Sequence, residues 1–175
     1  MLEVDPKLLA ERARLGLDAR DEMWDGELHM VPPASGPHQR FGFDLACALR
    51  PLADERGLRM SQETGFFREA DDYRVPDWAV YRRVQASQRG AEGAELVIEI
   101  RSPGDETKVK IPWYFAQGCH EVLVIDRDTL AVELHIPSGV VVPASSKVLG
   151  CTLTTVSGPA VEVSWGGGSA TIRRD

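Results

Sequence analysis

Two acidic side chains stand in strand-like runs of this chain, Asp77 in "RVPDWAV" and Glu99 in "ELVIEIRSPGDETKVK". Carboxylates brought together from neighbouring strands can hold a hard divalent cation such as Mg²⁺ or Mn²⁺, which takes oxygen ligands and keeps several waters. One backbone carbonyl, here that of Ile100, would complete such a set. An ion held there activates water and neutralises charge building on a phosphate, and a nearby lysine can steady that charge further. Lys108 and Lys110 follow the second carboxylate closely. On the residues alone, a polar interruption in two buried strands explains Asp77 and Glu99 equally well, because carboxylates at strand ends are ordinary in α/β proteins. Their setting has to decide.

The elements that would position them are legible as local patterns. Asp5 caps a short peripheral helix with Pro6 at its first position, and Leu8, Leu9, Ala13 and Leu17 recur at helical spacing. "DGELHMV" is a turn entering a strand, and "PPASGP" ends it. A longer helix then starts at Ser35, puts Phe41, Leu45, Ala48, Leu49 and Leu52 on one face, and stops at Gly57, with Pro51 as a kink candidate. "LRMSQE", "GFFRE" and "YRVPDWAVYR" follow as a meander of short strands, and "AELVIEI" is the best candidate for a sheet centre covered on both faces. A helix within residues 105–117 ends at Gly118, and "HEVLVID" is a second buried strand, parallel to the first. "LAVELHI", "GVVVP", "KVLGCTL" and "AVEVSW" are further β segments, and "GGGSATIRRD" is expected to be a frayed tail.

Composition bounds the rest. The chain has 175 residues, 43% hydrophobic and 27% charged, enough for one domain with its own core. There is no apolar run of the roughly 20 residues a membrane helix requires, and the charged N-terminus lacks a signal pattern, so the expected location is cytoplasmic. Cys47, Cys119 and Cys151 lie in apolar surroundings and are expected to be buried free thiols. A net charge of −7 weighs against indiscriminate attraction to nucleic acid, although Arg82, Arg83 and Arg89 cluster locally. No Gly-rich phosphate loop, nucleophile elbow or four-cysteine zinc pattern is present, which removes most competing chemistries.

"PD" followed by an acidic residue and a basic one on the next strand resembles the PD-(D/E)XK phosphodiesterase superfamily, of restriction-endonuclease-like fold. The surrounding text resembles the Uma2 family in particular. "RDEMWDGELHMVPPASGPHQR" is similar to its opening strand, Pro-rich turn and helix-entry His, and "RVPDWAV" to its Asp motif. "ELVIEIRSPGDETKVKIPWYFAQGCHEVLVID" is similar to its strand, Ser-Pro turn, Lys four residues before Tyr114 and closing strand. The resemblance spans Asp21 to Asp126 and implies a mixed β-sheet core flanked by helices, with additional C-terminal strands. The implied division is a peripheral helix over 1–20, a nuclease core over 21–126, β segments over 127–165 and a tail over 166–175.

The resemblance implies that Asp77, Glu99 and the Ile100 carbonyl hold the metal and that Lys110 is the basic catalytic residue. The plain motif would put its Lys at Arg101, which stays protonated but can hold a phosphate. Pro112 either breaks the following helix or starts it at Ile111 to Trp113, leaving Lys110 in a loop, so Lys108 stays a second candidate. Glu63 can reach the site from the preceding strand, and His38 can bind phosphate or assist proton transfer; each equally suits a local structural role. His120 and His135 lack paired ligand spacing, and Trp113, Tyr114 and Phe115 fit a core better than a base platform. Three readings remain: a Mg²⁺-dependent endonuclease acting on DNA; a nuclease-fold module that binds nucleic acid or protein with little turnover; or a small-molecule or structural β-rich protein, preferred if Asp77 and Glu99 point to different faces of the sheet. A homodimer stays open, and an exposed apolar patch on the C-terminal strands would favour it.

Overall fold

The structure, a computed structural model, describes residues 5–174. Along the chain run α1 (Pro6–Arg14), β1 (Glu22–Trp24), β2 (Glu27–His29), α2 (Gly36–Glu55), β3 (Leu58–Gln62), β4 (Phe66–Glu69), β5 (Asp72–Arg74) and β6 (Trp78–Arg82). There follow β7 (Leu96–Arg101), α3 (Thr107–Ala116), β8 (Glu121–Asp126), β9 (Val132–Ile136), β10 (Gly139–Val141), β11 (Ala144–Ser146), β12 (Cys151–Val156), β13 (Ala160–Trp165) and β14 (Gly168–Arg173). A six-stranded mixed sheet, ordered β10-β9-β8-β7-β6-β3, forms the centre. One four-stranded sheet, β2-β1-β5-β4, borders it, and another, β11-β12-β13-β14, is built from the C-terminal segments.

The parallel pair β7–β8 lies in the middle of the large sheet, joined through α3 as expected. Both strands are apolar on both faces because both faces are covered. Leu96, Ile98, Ile100, Leu123 and Ile125 pack with α2 and the C-terminal sheet, while Val97, Val122 and Val124 pack with Ile111 and Tyr114 of α3. Strand alternation therefore turns Glu99, two residues after Val97, toward α3. Helix α2 runs unbroken through Pro51 and buries Phe41, Leu45, Leu49 and Leu52. Helix α1 buries no residue; Arg12 instead ties it to Asp21 and to the Leu17 carbonyl.

Several expectations need correction. "YRVPDWAVYR" is not one strand: Pro76 cannot donate to a ladder, and the chain changes sheets there, β5 pairing with β1 and β4 while β6 pairs with β3 and β7. Helix α3 is not delayed by Pro112; it begins five residues earlier, where the Asp105 carboxylate accepts the Thr107 N–H at 3.0 Å. Cys47 is exposed, because it falls with Phe43 and Arg50 on the outer face of α2, whereas Cys119 and Cys151 are buried thiols. The segment after Trp165 is not frayed. It turns back as β14, paired with β13 from Trp165↔Gly168 to Ala160↔Arg173, and seats Ile172 in the core with 4% of its surface exposed. Replacing Ile172 by Ala is thus expected to cost about 2–4 kcal/mol in urea unfolding; an unchanged midpoint would restore the frayed tail.

Candidate active site

Lys110 organises the site. It lies in the second turn of α3, and its Nζ is 2.7 Å from Glu99 Oε1 and 3.3 Å from Glu22 Oε1. One helical turn on, Tyr114 donates its hydroxyl to the same Glu99 oxygen at 2.7 Å. The i, i+4 spacing makes this double contact possible, since residues 110 and 114 share a face of α3. Glu22 comes from β1, accepting the Val75 N–H at 2.8 Å on Oε1 and the Trp24 indole N–H at 2.8 Å on Oε2.

Asp77 owes its place to the strand break at Pro76. The β6–β7 ladder starts at Trp78↔Ile98, so Asp77 lies just beyond it, and its Oδ2 accepts the Ile100 N–H at 2.8 Å. The Ile100 carbonyl faces the same edge, because the N–H and C=O of one strand residue point the same way. Asp77 Oδ1 meets His38 Nε2 at 3.2 Å and Arg20 Nη2 at 3.0 Å. These groups line one cleft of about 690 Å³.

Asp77, Glu99 and Glu22 are 8%, 4% and 2% exposed, so their charges are held largely out of water. Burial pushes the Glu99 carboxyl up, to about 7, with Asp77 and Glu22 adding to the rise and Lys110 opposing it. Burial works against the Lys110 ammonium, but Glu99, Glu22 and Asp77 outweigh it and hold its pKa above the ordinary lysine value. Burial also penalises the Asp77 carboxylate, yet the His38 contact and the Ile100 N–H keep it below the ordinary range. Tyr114 is pushed well up by burial and by Glu99, so it remains a proton donor.

The donors suit a hard cation in kind: three carboxylates and a backbone carbonyl, all oxygen. Among the described residues, no three of His, Cys, Asp or Glu form a ready-made metal group. An ion seated on Asp77 and Glu99 would therefore complete its shell with water, as Mg²⁺ ordinarily does.

Of the residues singled out in the sequence, Asp77, Glu99, Ile100, Lys110 and His38 come together here. Lys108 does not: two residues from Lys110 it faces the other side of α3 and pairs with Glu133 at 3.0 Å. Arg101 is neutralised by Asp126, its register partner on β8. Glu63 stays outside the cleft lining, pairing with Arg20 at 3.4 Å and accepting from Gln39 at 2.9 Å. His120 and His135 pair with Glu95 and Glu133 away from the cleft. Sequence reasoning missed Arg20 and Glu22. For Glu22 the available signal was Trp24, which shares its strand face and marks that face as covered; for Arg20 there was none.

Residues 10–153 match the model of the Uma2 family, described as "Putative restriction endonuclease". A crystal structure of "a putative nuclease belonging to DUF820 from Anabaena variabilis ATCC 29413" is similar with a TM-score of 0.57 and 23% identity, over 67% of this chain and 72% of that one. At that identity the likeness speaks for the fold, which is restriction-endonuclease-like. No curated protein matches the chain.

The raised Glu99 pKa has a measurable consequence. Between an unfolded value near 4.5 and a folded value of about 7, the native state holds more protons than the unfolded one, so this group's contribution to stability falls as pH rises through that window. The decline should be on the order of 3 kcal/mol. Urea unfolding at a series of pH values should show it in the wild type and lose it in Glu99→Gln; equal slopes would contradict the assignment.

Proposed function

This chain belongs to the Uma2 family, and we propose that it is a cytoplasmic, divalent-metal-dependent endonuclease that hydrolyses phosphodiester bonds in DNA. The observation that carries this reading is the buried ammonium of Lys110 shared by Glu99 and Glu22 in the cleft that also holds Asp77. Asp77, Glu99 and the Ile100 carbonyl would hold the ion. When bound, it would supply Lewis-acid polarisation of the phosphate and a more acidic water.

The remaining work falls to the chain's own cations and donors. Lys110 is held protonated by its carboxylate neighbours, so it acts as a charge and hydrogen-bond donor and not as a base. It orients water and offsets charge developing on the phosphoryl oxygens. Arg20 binds Asp77 at 3.0 Å and presents a guanidinium for a phosphate oxygen. His38 fixes the position of the same Asp77 oxygen at 3.2 Å. Tyr114 keeps Glu99 oriented through the same oxygen that Lys110 contacts.

One observation favours the second reading, a binding module without turnover: both Asp77 oxygens are already engaged, Oδ1 by Arg20 and His38 and Oδ2 by the Ile100 N–H. A single assay separates the two. With Mg²⁺ or Mn²⁺, supercoiled plasmid should be nicked and linearised, and EDTA should abolish the reaction. Asp77→Ala and Lys110→Ala should each slow cleavage at least about 100-fold with the far-ultraviolet dichroism unchanged. Retarded plasmid with no divalent-dependent cutting would establish the binding module instead.

A further inference from the structure

We propose that the DNA taken by this cleft is unpaired, with one base stacked on the free face of the His29 ring. The inference rests on the nuclease reading above and names its substrate class. It comes from a column of planar groups that ends in the cleft. The His29 and Trp24 rings stack with centroids 3.8 Å apart and planes 15° from parallel. Behind Trp24 lies the Arg74 guanidinium, 4.5 Å from its ring centroid, and behind Arg74 lies Trp113 at 4.4 Å.

The column is rigid at its base and open at its tip. Arg74 is 4% exposed and held by Asp72 at 2.8 Å and the Met23 carbonyl at 2.7 Å; Trp113 donates to Asp72 at 2.9 Å. A tight Asp25–Gly26 turn, with φ of +48° and +85°, joins β1 to β2 and aligns Glu22, Trp24 and His29 on one face of the hairpin. At the tip, one face of His29 is covered by Trp24 and its Nδ1 lies 3.0 Å from Glu106, while the side chain keeps 21% of its surface accessible and lines the cleft. A planar ring whose inner face is packed and whose edge is tethered is a preformed plate for a nucleobase, and such stacking contributes about 1–3 kcal/mol per base. The plate is also coupled to the reaction centre, because Trp24 donates to Glu22 and Glu22 contacts Lys110.

Charge argues the same way. A duplex binder meets some six to ten phosphates with lysines and arginines. Here the cleft's cations are Arg20, Lys110 and Arg127, each already within 3.3 Å of a carboxylate. Asp105 and Glu106 add negative charge at its rim, and the chain carries a net −7. Such a surface grips a phosphate lattice poorly, so affinity has to come from bases, whose faces are available only when unpaired. A volume of about 690 Å³ also falls among pockets for small ligands.

Fluorescence anisotropy in EDTA tests this without cleavage, using labelled oligo-dT of about twelve nucleotides, its duplex with oligo-dA, and an abasic strand of equal length. The single strand should bind at least about tenfold tighter than the duplex or the abasic strand. His29→Leu, which covers Trp24 without a π face, should weaken it roughly 5- to 150-fold, and His29→Phe should stay within about threefold. Duplex binding equal to single-strand binding, or equal affinities for wild type and His29→Leu, would overturn the proposal. A cleavage assay on single-stranded circular DNA with Mn²⁺ keeps the two readings apart: cutting with a neutral His29→Leu removes only the base plate, and His29-dependent strand binding without cutting removes only the nuclease.

Discussion

A buried ammonium between two buried carboxylates is the constraint on which the rest of this structure depends. Charges so far from water are tolerable only if each finds an opposite charge or a donor, and losing one partner leaves another exposed to the full desolvation cost. Lys110 answers Glu99 and Glu22, and Tyr114, Trp24 and the Val75 N–H occupy further oxygens of the same carboxylates. Nothing in such a set can move alone. That rigidity holds the cleft's charges in place before any ligand arrives.

The surrounding architecture follows from meeting that requirement. Strand β7 is long and apolar because it is covered by α2 on one face and α3 on the other, which leaves Glu99 no environment except the one α3 supplies. Pro76 ends one strand and releases the next into a different sheet, and the gap left in the β6–β7 ladder is filled by the Asp77 carboxylate. A backbone N–H that would otherwise be an unmet donor thereby orients a functional side chain. Far from the cleft, Glu121 does comparable work: its carboxylate accepts Ser146 Oγ and the Lys147 and Val148 N–H groups, tying β8 to the C-terminal sheet.

The opening hairpin links this centre to the surface. Its shared face carries Glu22 inward to Lys110 and His29 outward to the cleft mouth, with Trp24 in contact with both. Arg74 between two indoles gains from both ring faces, and Asp72 balances its charge. Its Nη1 donates to Asp72 and to the Met23 and Tyr73 carbonyls, while its Nε is buried without a hydrogen-bond partner among the described residues, so these bonds and the ring packing fix the guanidinium together.

Much of this was legible in the chain itself. The continuous apolar runs around Val97 and Val122, the caps at Asp5 and Ser35 and the Gly118 stop are local, and local patterns translate directly into strands and helices. The resemblance to the family's motifs likewise singled out Asp77, Glu99 and a Lys110 four residues before Tyr114. Tertiary structure alone decided which candidates meet. It brought Arg20 and Glu22 in from the N-terminal segment, turned Lys108 and Arg101 away to Glu133 and Asp126, and paired the Gly-rich end as β14. Periodicity tells which face a side chain occupies, but the charge that compensates a buried carboxylate can come from any part of the chain. Only packing determines which part arrives.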